Sequence, residues 1–131
     1  MPACVADTSA LVAFLLDEPG GDTAGAWLAR GAAVSALNLQ ELVSKVVRDG
    51  GTAEDAAATV ADLALEAQHD LTPALALEAG AMVARTRAHG LSHGDRACLA
   101  LARHLGLPAV TADRAWAAVA DDLGVRVELI R

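Results

Sequence analysis

The chain has 131 residues, 54% of them apolar and 21% charged, a length suited to one hydrophobic core and a balance too apolar for a disordered chain. Only Phe14, Trp27 and Trp116 are aromatic, so there is no row of rings on which successive bases stack, which argues against an RRM-like or OB-like binder. The formal charge of -7 is uneven, with 11 acids against 3 bases over residues 1–70 and 6 against 7 over residues 71–131. A net-negative chain gains little non-specific affinity for phosphate backbones, so a nucleic-acid role needs a metal ion or a local basic strip, and a basic protein partner fits the acidic half.

The opening MPACVAD has no basic n-region, and Asp7 interrupts its apolar run. No signal peptide is expected, and a cytoplasmic location is. The longest charge-free stretch, Gly31 to Gln40, falls short of the roughly 20 residues of a membrane span. Apolar runs and helical patterns then alternate in chain order. A strand at Ala3–Ala6 leads to helices at Ser9–Leu16 and Thr23–Ala29. A second strand at Ala32–Ser35 is followed by helices at Leu37–Arg48 and Ala53–Ala67. A third strand is expected around His69–Leu71, then helices at Ala74–Arg87 and Gly94–Leu105. A strand at Pro108–Thr111, a helix at Ala115–Leu123 and a strand at Val125–Leu129 complete the chain. Capping boxes at Thr52/Asp55 and Ser92/Asp95 open two of the helices, and Gly31, Gly90, Gly106 and Gly124 mark stops. The alternation predicts one α/β domain over residues 1–131, with about five parallel strands and roughly seven helices. Cys4 and Cys98 lack CxxC spacing and sit among apolar residues, as buried small hydrophobes of a reducing compartment do.

In an open parallel sheet, ligands collect beyond the carboxyl ends of the strands, so the polar residues that end strands matter most. Asp7 directly follows ACVA and Asp113 follows PAVTA, so both emerge at one sheet edge if those strands are neighbours. Asp95 lies in the first turn of a helix entered from a Gly-containing loop. Glu41 lies on the third helix, nearly opposite an apolar face formed by Leu39, Leu42, Val43, Val46 and Val47 at roughly 100° per residue. Each acid also has a plainer reading. Asp7 and Asp113 are N-cap residues in type, Asp95 completes a capping box, and Glu41 stands four residues before Lys45 with which it would pair.

Together these pieces carry a resemblance. VADTSALVAFLLDEPG, SALNLQELVSKV, GLSHGDRACLALARHLGLP and AVTADRAW, in this order across about residues 3 to 131, resemble a PIN-domain ribonuclease, specifically the VapC-like toxin of bacterial toxin-antitoxin pairs. The resemblance implies a PIN-like fold with Asp7, Glu41, Asp95 and Asp113 clustered in one cleft. It further implies Mg²⁺- or Mn²⁺-dependent cleavage of RNA phosphodiesters, a cognate antitoxin laid over the cleft with an Arg or Lys in the metal region, and a homodimer.

The chemistry gives a separate reason for such a cluster. Carboxylates about 5 Å apart repel by roughly 3 kcal/mol per pair at an effective dielectric of 20, and a divalent cation relieves this. Magnesium takes one or two direct carboxylates and keeps several waters. Asp7 and Asp95 are the expected direct ligands, Asp113 acts through water or on a second ion, and Glu41 orients or deprotonates the attacking water. Thr8, Ser9, Thr111 and Asn38 are candidates to hydrogen-bond the carboxylates, although hydroxyls at strand ends also make local caps. Arg85, Arg87, Arg96 and Arg114 are candidates to guide RNA phosphates, or are solvated helix faces.

Other chemistries find less support. His89 and His93 have HxxxH spacing, but Gly90 breaks the helix a zinc pair needs. GxxxxGK[ST], GxGxxG and GxSxG are all missing. A phosphoacceptor domain using Asp7 lacks a second acid beside it, since Thr8 and Ser9 follow. A PIN-like module that only binds a partner is the remaining alternative, and the complete set of four acids argues against it.

Overall fold

Five strands, β1 (Cys4–Ala6), β2 (Ala32–Ser35), β3 (Ala67–His69), β4 (Ala109–Thr111) and β5 (Val127–Leu129), form one all-parallel sheet in the order β3-β2-β1-β4-β5. The computed structural model describes residues 1–131. The register sets Val5 opposite both Ala33 and Ala109, which makes β1 the central strand. β1, β2 and β4 are buried throughout, as the continuous apolar runs of a sheet covered on both faces require.

Successive strand residues divide between two cores with the period of two that a pleated strand imposes. Cys4, Ala6, Ala32, Val34 and Val110 pack with Leu11, Leu42 and Leu63 on one face. Val5, Ala33 and Ala109 pack with Leu99, Leu101 and Trp116 on the other. With so few rings, these layers rest on aliphatic side chains, of which each Val or Leu is worth roughly 1.5 to 3 kcal/mol when fully buried.

The helices are α1 (Thr8–Leu15), α2 (Gly21–Ala29), α3 (Ala36–Arg48), α4 (Ala53–Asp62), α5 (Pro73–Ala81), α6 (Val83–Thr86), α7 (His93–Leu105) and α8 (Ala120–Leu123). Joined by single residues and short 3₁₀ turns, α5 runs into α6, and the 3₁₀ turn Arg114–Ala118 runs into α8, so they make up seven helical segments. α7 is the central helix of its face, buried from Arg96 through Ala102. Both predicted capping boxes are formed. Gly106 and Gly124 end α7 and α8 in the left-handed conformation that glycine adopts without a Cβ penalty.

Several boundaries differ from the sequence reading, among them a break of the expected Ala74–Arg87 helix at Met82 and a start of β5 at Val127, and three have a clear local cause. The helix expected over Ala53–Ala67 stops at Asp62, because Ala64 turns into the left-handed region (φ 50°) and Glu66 N–H bonds Ala32 O at 2.9 Å to start β3. Pairing with β2 thus overrides the helix propensity of an Ala-rich segment. β3 consequently begins two residues before the expected His69, and as an edge strand it lacks the apolar signature of its neighbours. The helix expected over Ala115–Leu123 opens instead as a 3₁₀ turn, with the Asp113 carboxylate accepting from Ala115 N–H and wholly buried Trp116 turned into the core.

Candidate active site

From β1 the chain crosses to β2 on one side of the sheet, while β4 lies on the other, so the strand order reverses beside β1. The crevice outside the carboxyl ends of β1 and β4 is where such a sheet binds ligands. Asp7 leaves β1 at this point and is almost wholly buried. It occupies the N-cap position of α1 yet makes no side-chain capping bond. Its Oδ2 instead accepts from Ser9 Oγ at 2.7 Å and from Thr111 Oγ1 at 2.9 Å, leaving Oδ1 without a protein partner. Burial pushes the Asp7 carboxyl up to about 6, the charges of Asp95 and Glu41 push the same way, and the Ser9 and Thr111 bonds oppose them.

Asp95 stands in the first turn of α7. Its Oδ2 accepts from Ser92 N–H at 2.8 Å in the capping box, leaving Oδ1 open. Its carboxyl is raised as well, first by burial and then, against the Ser92 bonds, by the charges of Asp113 and Glu41. Asp113 follows β4, is half-buried, and gives Oδ1 to Ala115 N–H at 3.0 Å. Thus the capping reading holds for Asp95 and Asp113, fails for Asp7, and leaves one oxygen of each free.

Glu41, half-buried on α3, does not pair with Lys45, whose ammonium lies 3.2 Å from Asp49. It turns instead toward α1 and the start of α7. Its Oε1 accepts from Thr8 Oγ1 at 2.8 Å and from Asn38 Nδ2 at 2.7 Å. The sequence reading overlooked the seat of this carboxylate: a Cβ at Gly94 would overlap its carbon and both oxygens. The signal was a glycine in the first turn of a helix, where it weakens the helix unless something needs the space.

All four acids therefore tie one oxygen to a donor and keep the other open. No three of them stand close enough to ligate one ion as they are. The charges of Asp95 and Glu41 reach Asp7, and those of Asp113 and Glu41 reach Asp95. This donor set of hard oxygens, one open atom each, fits a cation that takes one or two carboxylates directly and keeps waters elsewhere.

The other candidates divide. Thr8, Ser9, Thr111 and Asn38 all touch the acids, as expected. Arg96 is a correction: it lies in the interior, only 7% exposed, with Nη1 bonded to Leu91 O at 3.1 Å and Nε unpartnered. The α7 face that carries it is packed, so it is no part of a surface strip. Arg85, Arg87 and Arg114 are exposed. Cys4 and Cys98 are free and buried, and burial raises both thiols above their usual range.

Against known proteins, a family model described as the PIN domain matches residues 4–122. Among solved structures, the sarcin-ricin-loop-cleaving toxin VapC20 of Mycobacterium tuberculosis is 22% identical at a TM-score of 0.72, over 88% of this chain and 94% of that one. A chain of DNA-bound VapBC from Salmonella typhimurium is 20% identical at 0.73, over the full length of both. A chain of the toxin-antitoxin complex VapBC-5 of Mycobacterium tuberculosis is 25% identical at 0.63, over 99% of each. No curated protein sequence matches.

Proposed function

This chain belongs to the PIN domain family, and from that premise we propose that it is a Mg²⁺- or Mn²⁺-dependent endoribonuclease acting as the toxin of a toxin-antitoxin pair. One observation carries the reading. Asp7 and Asp113 follow the adjacent strands β1 and β4, the charges of Glu41 and Asp95 reach Asp7, and each of the four acids is held by one oxygen and open at the other.

When bound, the cation offsets the repulsion among the acids and stabilises negative charge building on the scissile phosphate. Asp7 and Asp95 would hold it directly through their open oxygens, with Asp113 acting through water or on a second ion. Glu41 orients the attacking water and accepts its proton. The water oxygen bonds to phosphorus as the phosphorus–oxygen bond to the departing ribose breaks, the ribose oxygen keeping the electron pair and taking a proton from solvent water, with no covalent enzyme intermediate. Ser9 and Thr111 keep Asp7 in one rotamer throughout.

The partner proposed is an antitoxin whose basic segment covers the cleft, in keeping with the acidic first half of the chain and with the complexes in which its structural relatives were solved. An apolar groove between α1, α3 and α4, lined by Val12, Leu15, Leu16, Leu42 and Val46, offers area for that segment or for a second copy in a homodimer. No helix is long and apolar enough to cross a membrane, and action as a single domain in the cytoplasm is part of the proposal.

The test is incubation of the purified chain with a structured RNA mixture in Mg²⁺, Mn²⁺ or EDTA, reading fragment ends. Cleavage that needs the cation supports the reading. Intact RNA under all three conditions, with no cation-induced rise in melting temperature, would return the chain to a binding module.

A further inference from the structure

Asn38 is wholly buried in the first turn of α3, three residues before Glu41. Both protons of its amide are used, one on Glu41 Oε1 at 2.7 Å and one on the carbonyl of Gly94 at 3.1 Å. Its own oxygen, Oδ1, is buried without a partner. The orientation is fixed by chemistry, since turning the amide over would set an oxygen against two oxygens.

A buried carbonyl oxygen without a donor is unfavourable, and an apolar side chain would avoid it. The two donations therefore account for the residue. One grips the acid and the other grips the backbone directly before Asp95, across 56 residues of sequence. On the α7 side, only hydrogen at the Gly94 Cα lets the Glu41 carboxylate approach so closely. The Thr8 hydroxyl donates its one proton to the same Oε1 at 2.8 Å and lies 3.3 Å from the carbonyl of Asn38, closing the cradle from α1. With Oε1 doubly held, Oε2 is the atom left to work.

We infer that Asn38 is the positioning residue of this site: its amide clamps Glu41 to the entrance of α7 and so sets the spacing between Glu41 and Asp95. The inference rests on the nuclease reading and names a residue that acts on the reaction only through Glu41.

The test is a double-mutant cycle of Asn38→Ala and Glu41→Gln, with Asn38→Ser as a second, less cavity-forming variant. It is read as kcat and KM on RNA, and as Mn²⁺ affinity from the spin-resonance signal of free Mn²⁺. Each Asn38 variant is expected to lower kcat about tenfold or more with KM nearly unchanged, and to weaken Mn²⁺ binding. In the Glu41→Gln background the same change should alter either quantity less than about twofold. A full loss persisting in that background, or Asn38 variants that bind Mn²⁺ and cleave like the unaltered chain, would overturn the inference. A failure of the nuclease reading looks different: the unaltered chain would cleave no faster than Asp7→Asn, and the Mn²⁺ cycle alone would then decide the role of Asn38, with no Mn²⁺ bound by the unaltered chain counting against it.

Discussion

Thr111 Oγ1 donates to Asp7 Oδ2 at 2.9 Å, from the end of β4 to the end of the adjacent β1, across 104 residues of sequence. That bond and the one from Ser9 favour the ionised form, yet burial and the charges of Asp95 and Glu41 prevail and raise Asp7 to about 6 from its ordinary 3.8. A carboxyl whose folded value exceeds its unfolded value disfavours folding once it ionises. The cost is absent below about 3.8, grows between 3.8 and 6, and is complete above 6. Asp7→Asn is therefore expected to stabilise the cation-free chain at pH 7.5 by up to about 3 kcal/mol, and to change little at pH 3.5. Urea unfolding in EDTA at the two pH values checks this, and a variant less stable than the unaltered chain at pH 7.5 would refute it.

Gly94 and Gly80 predict opposite outcomes for one substitution. At Gly94 a methyl group meets the Glu41 carboxylate, whereas at Gly80, in α5, nothing lies within 4 Å. Gly94→Ala is expected to lower stability by roughly 1 to 3 kcal/mol and to reduce cleavage with it. Gly80→Ala should raise stability by about 0.5 to 1 kcal/mol and leave cleavage unchanged. Thermal melts and initial rates on the pair distinguish them.

Charge reversal separates the buried arginine from the exposed ones. Arg96→Glu places a carboxylate in the interior against the carbonyl of Leu91 and should cost on the order of 3 kcal/mol, read as a lowered melting temperature. Arg114→Glu, on the surface, should leave the melt in place and weaken RNA binding, with a shallower dependence of affinity on salt. Equal melts for the two variants would contradict the burial of Arg96.

The single open oxygen on each acid bears on which cation is preferred. Calcium takes six to eight oxygens and is often held by bidentate carboxylates, whereas magnesium accepts single oxygens and keeps its waters. Mn²⁺ and Mg²⁺ are thus expected to raise the melting temperature more than Ca²⁺ at equal concentration, and Ca²⁺ should not support cleavage. Melts across a series of the three chlorides provide the comparison.

Much of this architecture was legible because the signals are local. The runs ACVA, AAVS and PAVT mark the three central strands, and TAED and SHGD mark two helix starts, since burial on both faces and capping each leave a short imprint in sequence. Edge strand β3 leaves only a faint one, expected around His69–Leu71 and formed two residues earlier, where Ala67, Gln68 and His69 pair with β2. The acids were found by their place after strands and in a first turn, but which oxygen each commits is set by partners such as Thr111 that are distant in the chain. Arg96 reads as a surface residue because a single step of roughly 100° around a helix separates a solvated face from a packed one, and its neighbour Asp95 is half-exposed. Gly94 escaped notice because its role belongs to the Glu41 side chain that rests against it.

The central claim is that these four acids form a cation site that cuts RNA. Its most direct test sets the unaltered chain beside Asp7→Asn, measuring Mn²⁺ binding and cleavage of one structured RNA in the same buffer, with EDTA as the blank. The account predicts that the unaltered chain binds Mn²⁺ and cleaves, and that Asp7→Asn, though folded and more stable without cation, loses cleavage by at least about a hundredfold and binds Mn²⁺ more weakly. Equal cleavage by the two chains, or cleavage undiminished in EDTA, would contradict it.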